Sequence, residues 1–207
     1  MLKLILKQLK SHAPYTALGA ATGIVIMVVV VFSDIPVKIS QAIFYYLHPI
    51  HVVLSAFTTT AMYVKYRGRK IWLAIFVGWT GSLGIATMSD AVIPFLGAEL
   101  LQIPIEFHIP FVEKWWLNLL ALIGVIAGYK WQMTKIPHFG HVLLSTWASL
   151  FYFVAFGRAN WIPLLPFIFL FLFLAVWIPC CTSDIIYPLL FTRKTRKVAL
   201  TAREANN

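Results

Sequence analysis

Two histidine pairs with the same spacing stand in otherwise apolar stretches of this sequence. The first reads HPIHVVLS from His48 and the second reads HFGHVLLS from His138, so that five of eight positions match. Histidines at positions i and i+3 lie on one face of a helix, where both rings can reach a common ligand. Each pair is therefore a candidate element for binding a metal ion or a proton.

A serine–aspartate pair follows each histidine pair, at the end of the next apolar run. The two sequences, SDAVIPFL and SDIIYPLL, share Ser, Asp, Pro and Leu in register. Asp90 follows His51 by 39 residues, and Asp184 follows His141 by 43 residues. These separations fit helical hairpins that begin and end at the same face, so we expect each aspartate to lie within reach of its histidine.

Two imidazoles and one carboxylate form a donor set suited to Zn, Fe, Mn or Ni. Alternatively, each aspartate accepts hydrogen bonds from the histidines as a structural latch, or the groups form a polar substrate site without metal. Glu106 and His108 in an outer loop, and Cys180 and Cys181 beside Asp184, are further candidate ligands, with loop solvation and apolar packing as their alternatives. The predicted metal ligands are His48, His51 and Asp90 in the first set, and His138, His141 and Asp184 in the second.

The elements that position these residues follow from a composition typical of an integral membrane protein. The chain is 60% hydrophobic and only 12% charged, whereas about a quarter of the residues in an average soluble domain are charged. Apolar runs near or above the ~17 to 25 residues that cross a bilayer predict an all-α protein with transmembrane helices. The six runs are 17–32, 42–64, 71–96, 115–128, 142–156 and 162–191.

Basic residues are divided unequally between the two sets of loops. With six crossings, fourteen Lys and Arg residues lie on the side of both termini, and Lys38, Lys114 and Arg158 lie on the other side. The positive-inside rule therefore places both termini in the cytoplasm. The net charge is +10, and the basic residues flank the predicted membrane segments. We therefore expect anionic lipid headgroups of the cytoplasmic leaflet as the partner, and no nucleic acid.

The two halves of the chain repeat one plan of three helices. A span with paired small residues precedes each hairpin, GAATG from Gly19 and GVIAG from Gly124, and such spacing permits close helix contact. Because three is odd, the two copies face opposite ways as an inverted repeat. We predict a cytoplasmic amphipathic segment (1–16), a first repeat (17–100) with an interfacial insertion (33–47), an outer loop (101–114), a second repeat (115–192) and a basic cytoplasmic tail (193–207).

The predicted depths separate the two donor sets. Counting 1.5 Å per helical residue places the first set near the outer face and the second set near the inner face. Sites that far apart exclude a dinuclear centre, in which the ions lie ~3.5 to 4 Å apart.

Three functions are compatible with these features. The first is a small transporter for a divalent metal ion or a proton-coupled solute. The others are a membrane-embedded metal-dependent enzyme acting on a lipid or quinone, and a non-catalytic subunit of a membrane complex. The sequence leaves open whether the chain forms a homo-oligomer or joins a larger complex. Hydroxyl side chains along the histidine helices slightly favour the transporter, with hydrogen bonds to the carbonyls of their own helix as the alternative. They are Thr58, Thr59, Thr60, Ser145, Thr146 and Ser149.

Overall fold

The structure, a computed structural model, describes residues 2–67, 70–132, 135–182 and 186–191. These residues are almost entirely helical, and the one isolated β-bridge among them joins Ile105 to Gly157. The helices are α1 (Leu2–Phe32), α2 (Val37–Arg67), α3 (Ile71–Thr87), α4 (Ile93–Leu100), α5 (Pro110–Glu113), α6 (Leu117–Lys130), α7 (Lys135–Phe156), α8 (Leu165–Cys181) and α9 (Tyr187–Leu190). A π-helical turn (Met88–Val92) joins α3 to α4, and a 3₁₀ turn (Ile162–Leu164) precedes α8.

Three helical segments are long and apolar enough to cross a membrane. They are Ala13–Phe32, Ile71–Leu100 and Ile162–Cys180, and Leu117–Lys130 and Gly140–Phe156 are shorter apolar helices. Together with α2, these segments contain most of each predicted apolar run. The all-helical prediction is thus confirmed for the described residues, whereas the six crossings and the inverted repeat stay predictions.

Helix α2 lies at the centre of the bundle. It packs against α3, α6 and α7, while α1 packs against α7 and α8. The side of α2 that faces these neighbours is unusually polar, because His48, His51, Ser55 and Thr58 are all buried. Buried polar groups require hydrogen-bond partners, so the neighbouring helices have to supply them.

Two predicted flanking segments are continuous with the long helices. The segment 1–16 runs into the first apolar run within α1, and residues 37–47 form the first turns of α2 rather than a separate interfacial helix. The backbone N–H of Ile39 donates to the carbonyl oxygen of Pro36 at 2.8 Å, which opens α2. At 1.5 Å per residue, His51 lies ~21 Å from the start of a helix ~46 Å long. The first histidine pair therefore lies near the middle of its helix.

Pro94 disturbs the helix at the π-helical turn between α3 and α4. Proline lacks the N–H that bonds to the carbonyl four residues earlier, here that of Asp90, and its ring crowds that carbonyl. The helix widens over Met88–Val92 and then continues into α4. Single π-helical turns within α-helices frequently occur at functional sites. This turn carries Asp90, whose side chain is fully buried in the bundle.

Candidate metal centre

The histidine pair of α2 converges on the carboxylate of Asp90. The Nδ1 atom of His48 lies 2.8 Å from Oδ2 of Asp90, and the Nδ1 atom of His51 lies 2.6 Å from the same oxygen. All three side chains are buried. The proximity that the sequence predicted for His51 and Asp90 is confirmed.

Two serine hydroxyls bind the other carboxylate oxygen. Ser89 and Ser145 each donate a hydrogen bond from Oγ to Oδ1 of Asp90 at 2.8 Å. Ser149 donates to the backbone oxygen of Ser89 at 2.9 Å, so α7 is bonded to the π-helical turn at two places. The second half of the chain thus contributes directly to the first donor set.

The contact between Ser145 and Asp90 was not predicted. A signal for it is present in the repeated motif, because Ser145 follows His141 by four residues and therefore lies on the same helix face. What the motif does not contain is the identity of the helix that this face meets.

His141 lies beside the first donor set. The centre of its ring is 5.6 Å from that of His51, in an edge-to-face arrangement, and its Nδ1 atom lies 3.4 Å from Oγ1 of Thr58. The expectation that His51 and His141 lie near opposite faces is therefore wrong. It assumed that His48 begins its helix, whereas eleven residues of α2 precede His48 and carry the pair deep into the bundle.

The structure describes only part of the predicted second donor set. His138 belongs to α7 and Cys181 ends α8, but the side chains of both lie outside the described part of the chain, as does all of Asp184. Cys180 is buried in a small apolar cluster with two valines of α7 and α8. A second metal centre at these residues stays a prediction.

The loop candidates Glu106 and His108 lie in a separate cluster around Glu113. Nδ1 of His108 lies 2.8 Å from Oε1 of Glu113, and the hydroxyl of Tyr45 donates to Oε2 at 2.8 Å. Nε2 of His108 is 3.4 Å from a carboxylate oxygen of Glu106, without the alignment of a hydrogen bond. Burial raises the pKa of Glu113, but the hydrogen bonds from Tyr45 and His108 outweigh it and lower the pKa overall. Glu113 is therefore a carboxylate at neutral pH.

An aromatic layer separates this Glu113 cluster from the His48 site. The ring of His108 lies 4.3 Å from that of Phe156, Phe156 contacts Phe44 at 5.5 Å, and Phe44 stacks on His48 at 5.6 Å. Among the described residues, the group of potential ligands that lie within 4.8 Å of one another includes neither Glu106 nor His108. These two predicted additional ligands thus bind within the loop instead.

His48, His51 and Asp90 can hold a metal ion. Their potential ligand atoms lie within 4.8 Å of one another. Metal–nitrogen and metal–oxygen bonds of ~2.0 to 2.2 Å place neighbouring ligand atoms about 3 to 3.5 Å apart, so the present Nδ1–Oδ2 contacts would have to lengthen by less than about 1 Å to hold an ion.

The other ring nitrogen of His48, which does not contact Asp90, is left without a partner among the described residues. Nε2 of His48 is buried and has no hydrogen-bond partner in the described part of the chain, and a buried polar atom without a partner needs an explanation such as a bound water, an ion or a functional role. The same distances equally describe ion pairs from both histidines to Asp90, so the latch alternative shares this geometry.

No protein-family model, curated protein or solved structure matches the chain.

Proposed function

We propose that the chain is a small multi-pass membrane transporter that binds a divalent transition metal ion at His48, His51 and Asp90. The observation that carries this proposal is the convergence of two imidazole nitrogens on one oxygen of a fully buried carboxylate. A buried carboxylate is costly without a counter-charge, and a divalent cation supplies one. Ionisable groups inside a membrane are functional candidates by default.

Each residue of the centre has a distinct part in this proposal. His48 and His51 supply imidazole nitrogens, and Asp90 supplies Oδ2. Ser89 and Ser145 bind Oδ1 and thereby hold the carboxylate in one orientation, as hydrogen-bond partners of metal ligands commonly do. Because Ser145 belongs to α7, movement of one half of the chain against the other alters the hydrogen bond from Ser145 that orients the carboxylate of Asp90.

The distribution of side chains supports a membrane location. The buried residues include many histidines, serines and threonines, whereas large apolar side chains such as Trp72 (83% exposed) and Phe32 (74% exposed) cover the outside. Monomeric soluble proteins rarely expose continuous apolar patches larger than a few hundred Å². A bundle with an apolar exterior, and with polar groups enclosed within its mainly apolar core, is suited to lipid.

Helix contacts support two equivalent halves. If α1, α2, α3 and α4 correspond to α6, α7, α8 and α9, then the α1–α7 contact matches α6–α2, and α2–α3 matches α7–α8. The contact of α1 with α8 likewise matches that of α6 with α3, and α4–α7 matches α9–α2. Such an exchange pattern is what an inverted repeat produces.

The positions of matching residues support the same symmetry. A Cβ atom at Gly19 would meet Thr146, and one at Gly124 would meet Ala56. Thr146 and Ala56 occupy matching positions, because each follows the first histidine of its motif by eight residues. His51 and His141 are matching residues that contact each other. Matching residues make contact only near the two-fold axis, so we infer a site near the membrane midplane, where transporters built from inverted repeats bind their substrates.

The hydrogen bonds of Asp90 also favour a second candidate function, that of a non-catalytic subunit. All four hydrogen bonds to Asp90 come from side chains of the protein, so the group can also brace α2, the π-helical turn and α7 in a non-catalytic subunit of a membrane complex. In that case the site needs no ion.

Metal binding and transport are tested together. Protein purified without added metal, then incubated with Zn²⁺ or Mn²⁺ and desalted, should retain at least one ion per chain by elemental analysis. Proteoliposomes should take up the same ion, whereas protein-free liposomes should not. Binding without uptake would favour the enzyme acting on a lipid or quinone, and the absence of binding would favour the brace.

Topology is tested independently of metal. We propose six crossings, with both termini in the cytoplasm and the basic loops at anionic headgroups. A reporter fused after Phe191 should be cytoplasmic, and one fused after Ala98 should lie on the opposite side. Reporters on the same side at these two positions would contradict the inverted repeat.

A further inference from the structure

A cleft with a volume of about 450 Å³ lies away from the metal centre. It is formed where the end of α1, the connection from α1 to α2, and the connection from α7 to α8 meet. Its walls include the apolar side chains of Val30, Val37 and Val154, together with the charged residues Asp34 and Arg158. The volume falls within the ~300 to 1,000 Å³ typical of small-molecule sites.

Asp34 and Arg158 present opposite charges to this one cleft. Both are exposed, and every ion pair in the described part of the chain involves a histidine and neither of these residues. Backbone hydrogen bonds hold both residues: Asp34 N–H donates to the carbonyl of Val31 at 3.3 Å, and Arg158 N–H donates to that of Pro104 at 3.1 Å. The cleft therefore offers a cation and an anion that do not neutralise each other.

We propose that this cleft binds the headgroup of phosphatidylethanolamine. The guanidinium of Arg158 donates to the phosphate, and the primary ammonium donates to the carboxylate of Asp34, both as charge-assisted hydrogen bonds. Val37, which lines the cleft, and Phe32, which follows the lining residue Val31, are exposed and offer apolar surface for the acyl chains. This favours a lipid over a soluble zwitterion, which makes no use of that surface.

The proposed lipid site is independent of metal transport. It shares no residue with the His48–His51–Asp90 centre and requires only that the protein resides in a membrane. A protein that transports no metal can therefore still bind the lipid, and the two proposals fail separately.

Native mass spectrometry of the detergent-solubilised full chain provides the test. Mixed micelles contain equal amounts of phosphatidylethanolamine, phosphatidylcholine and phosphatidylglycerol, and the bound lipid is counted. We expect phosphatidylethanolamine to be retained preferentially, because the quaternary ammonium of phosphatidylcholine has no N–H to donate and phosphatidylglycerol has no cation.

Variants assign the lipid to this cleft. Asp34→Asn and Arg158→Gln should each weaken phosphatidylethanolamine retention about ten-fold, the equivalent of about 1.4 kcal/mol. Asparagine tolerates the positive φ of 46° at position 34, so the turn is preserved. Arg158→Lys should retain most of the binding. Lys38→Gln removes a nearby exposed cation that does not line the cleft and should change nothing.

Four outcomes would overturn the proposal. Equal retention of phosphatidylethanolamine and phosphatidylcholine by the wild type would exclude recognition of the ammonium. If Asp34→Asn retains phosphatidylethanolamine as well as the wild type does, or if its only change is a higher retention of phosphatidylglycerol, the cleft is a simple anion site at Arg158. Full competition by soluble glycerophosphoethanolamine at equal concentration would show that the acyl chains contribute nothing.

Discussion

An Asp90→Asn protein should remain folded and lose its divalent metal, with affinity reduced by about 100-fold or more. Altering the hydrogen-bond partner of a metal ligand commonly costs ~10- to 100-fold in affinity, and here a ligand itself loses its negative charge. Titration with Zn²⁺ or Mn²⁺, followed by elemental analysis of the desalted protein, measures the change directly. Uptake into proteoliposomes should fall in parallel.

The fold should survive because asparagine can satisfy every partner of Asp90. Its amide oxygen accepts from the Nδ1–H groups of His48 and His51, and its NH₂ group donates to the hydroxyls of Ser89 and Ser145, which also accept hydrogen bonds. Replacing charge-assisted hydrogen bonds by neutral ones should cost no more than ~1 to 2 kcal/mol of unfolding free energy. Asp90→Ala, in contrast, strands four buried groups and should cost ~3 to 5 kcal/mol.

Glu113→Gln is the matched control for this experiment. Glu113 also accepts from a histidine Nδ1 and from a hydroxyl, each at 2.8 Å, but it belongs to the separate Glu113 cluster. Metal affinity should be unchanged in this variant. If Asp90→Asn retains the wild-type metal content and flux, Asp90 is not a ligand and the brace is the better account of the site.

A Gly128→Ala protein should be strongly destabilised. The added Cβ atom would lie closer to the backbone carbonyl oxygen of Phe57 on α2 than the van der Waals radii allow. A backbone atom cannot rotate away from this clash as a side chain can. Overpacking of this kind costs ~1 to 3 kcal/mol, and occasionally more. Thermal unfolding in detergent should therefore shift to a clearly lower midpoint, with α6 displaced from α2.

Two other glycines are controls for the same measurement. Gly23 occupies the matching position in the GAATG span, but a Cβ there would lie 3.8 Å from its nearest neighbour, a methyl group of Leu172. Gly84, inside α3, has nothing within 4 Å. Gly23→Ala should be close to neutral, and Gly84→Ala should stabilise by roughly 0.5 to 1 kcal/mol because alanine is the better helix former. Equal effects at all three positions would show that α6 and α2 do not pack this closely.

The sequence by itself determined the helices and the first donor set. Long apolar runs predicted the main helical segments, and the i, i+3 spacing of His48 and His51 placed both rings on one face of α2. The distance along the chain to Asp90 indicated a hairpin that brings the carboxylate back to that face. These features depend on local spacing and chain length, which one sequence contains in full.

Only the tertiary structure decided the depth of the site and its partners from the second half. The polar start of α2 resembles an interfacial segment, so nothing in the sequence shows that eleven helical residues precede His48. The contact of His51 with His141, and the hydrogen bond from Ser145 to Asp90, depend on how α2 and α7 pack. Pro94 predicts a disturbed helix, but a break and a π-helical turn both relieve its missing N–H. Which of these forms is set by the neighbouring helices that receive the side chain of Asp90.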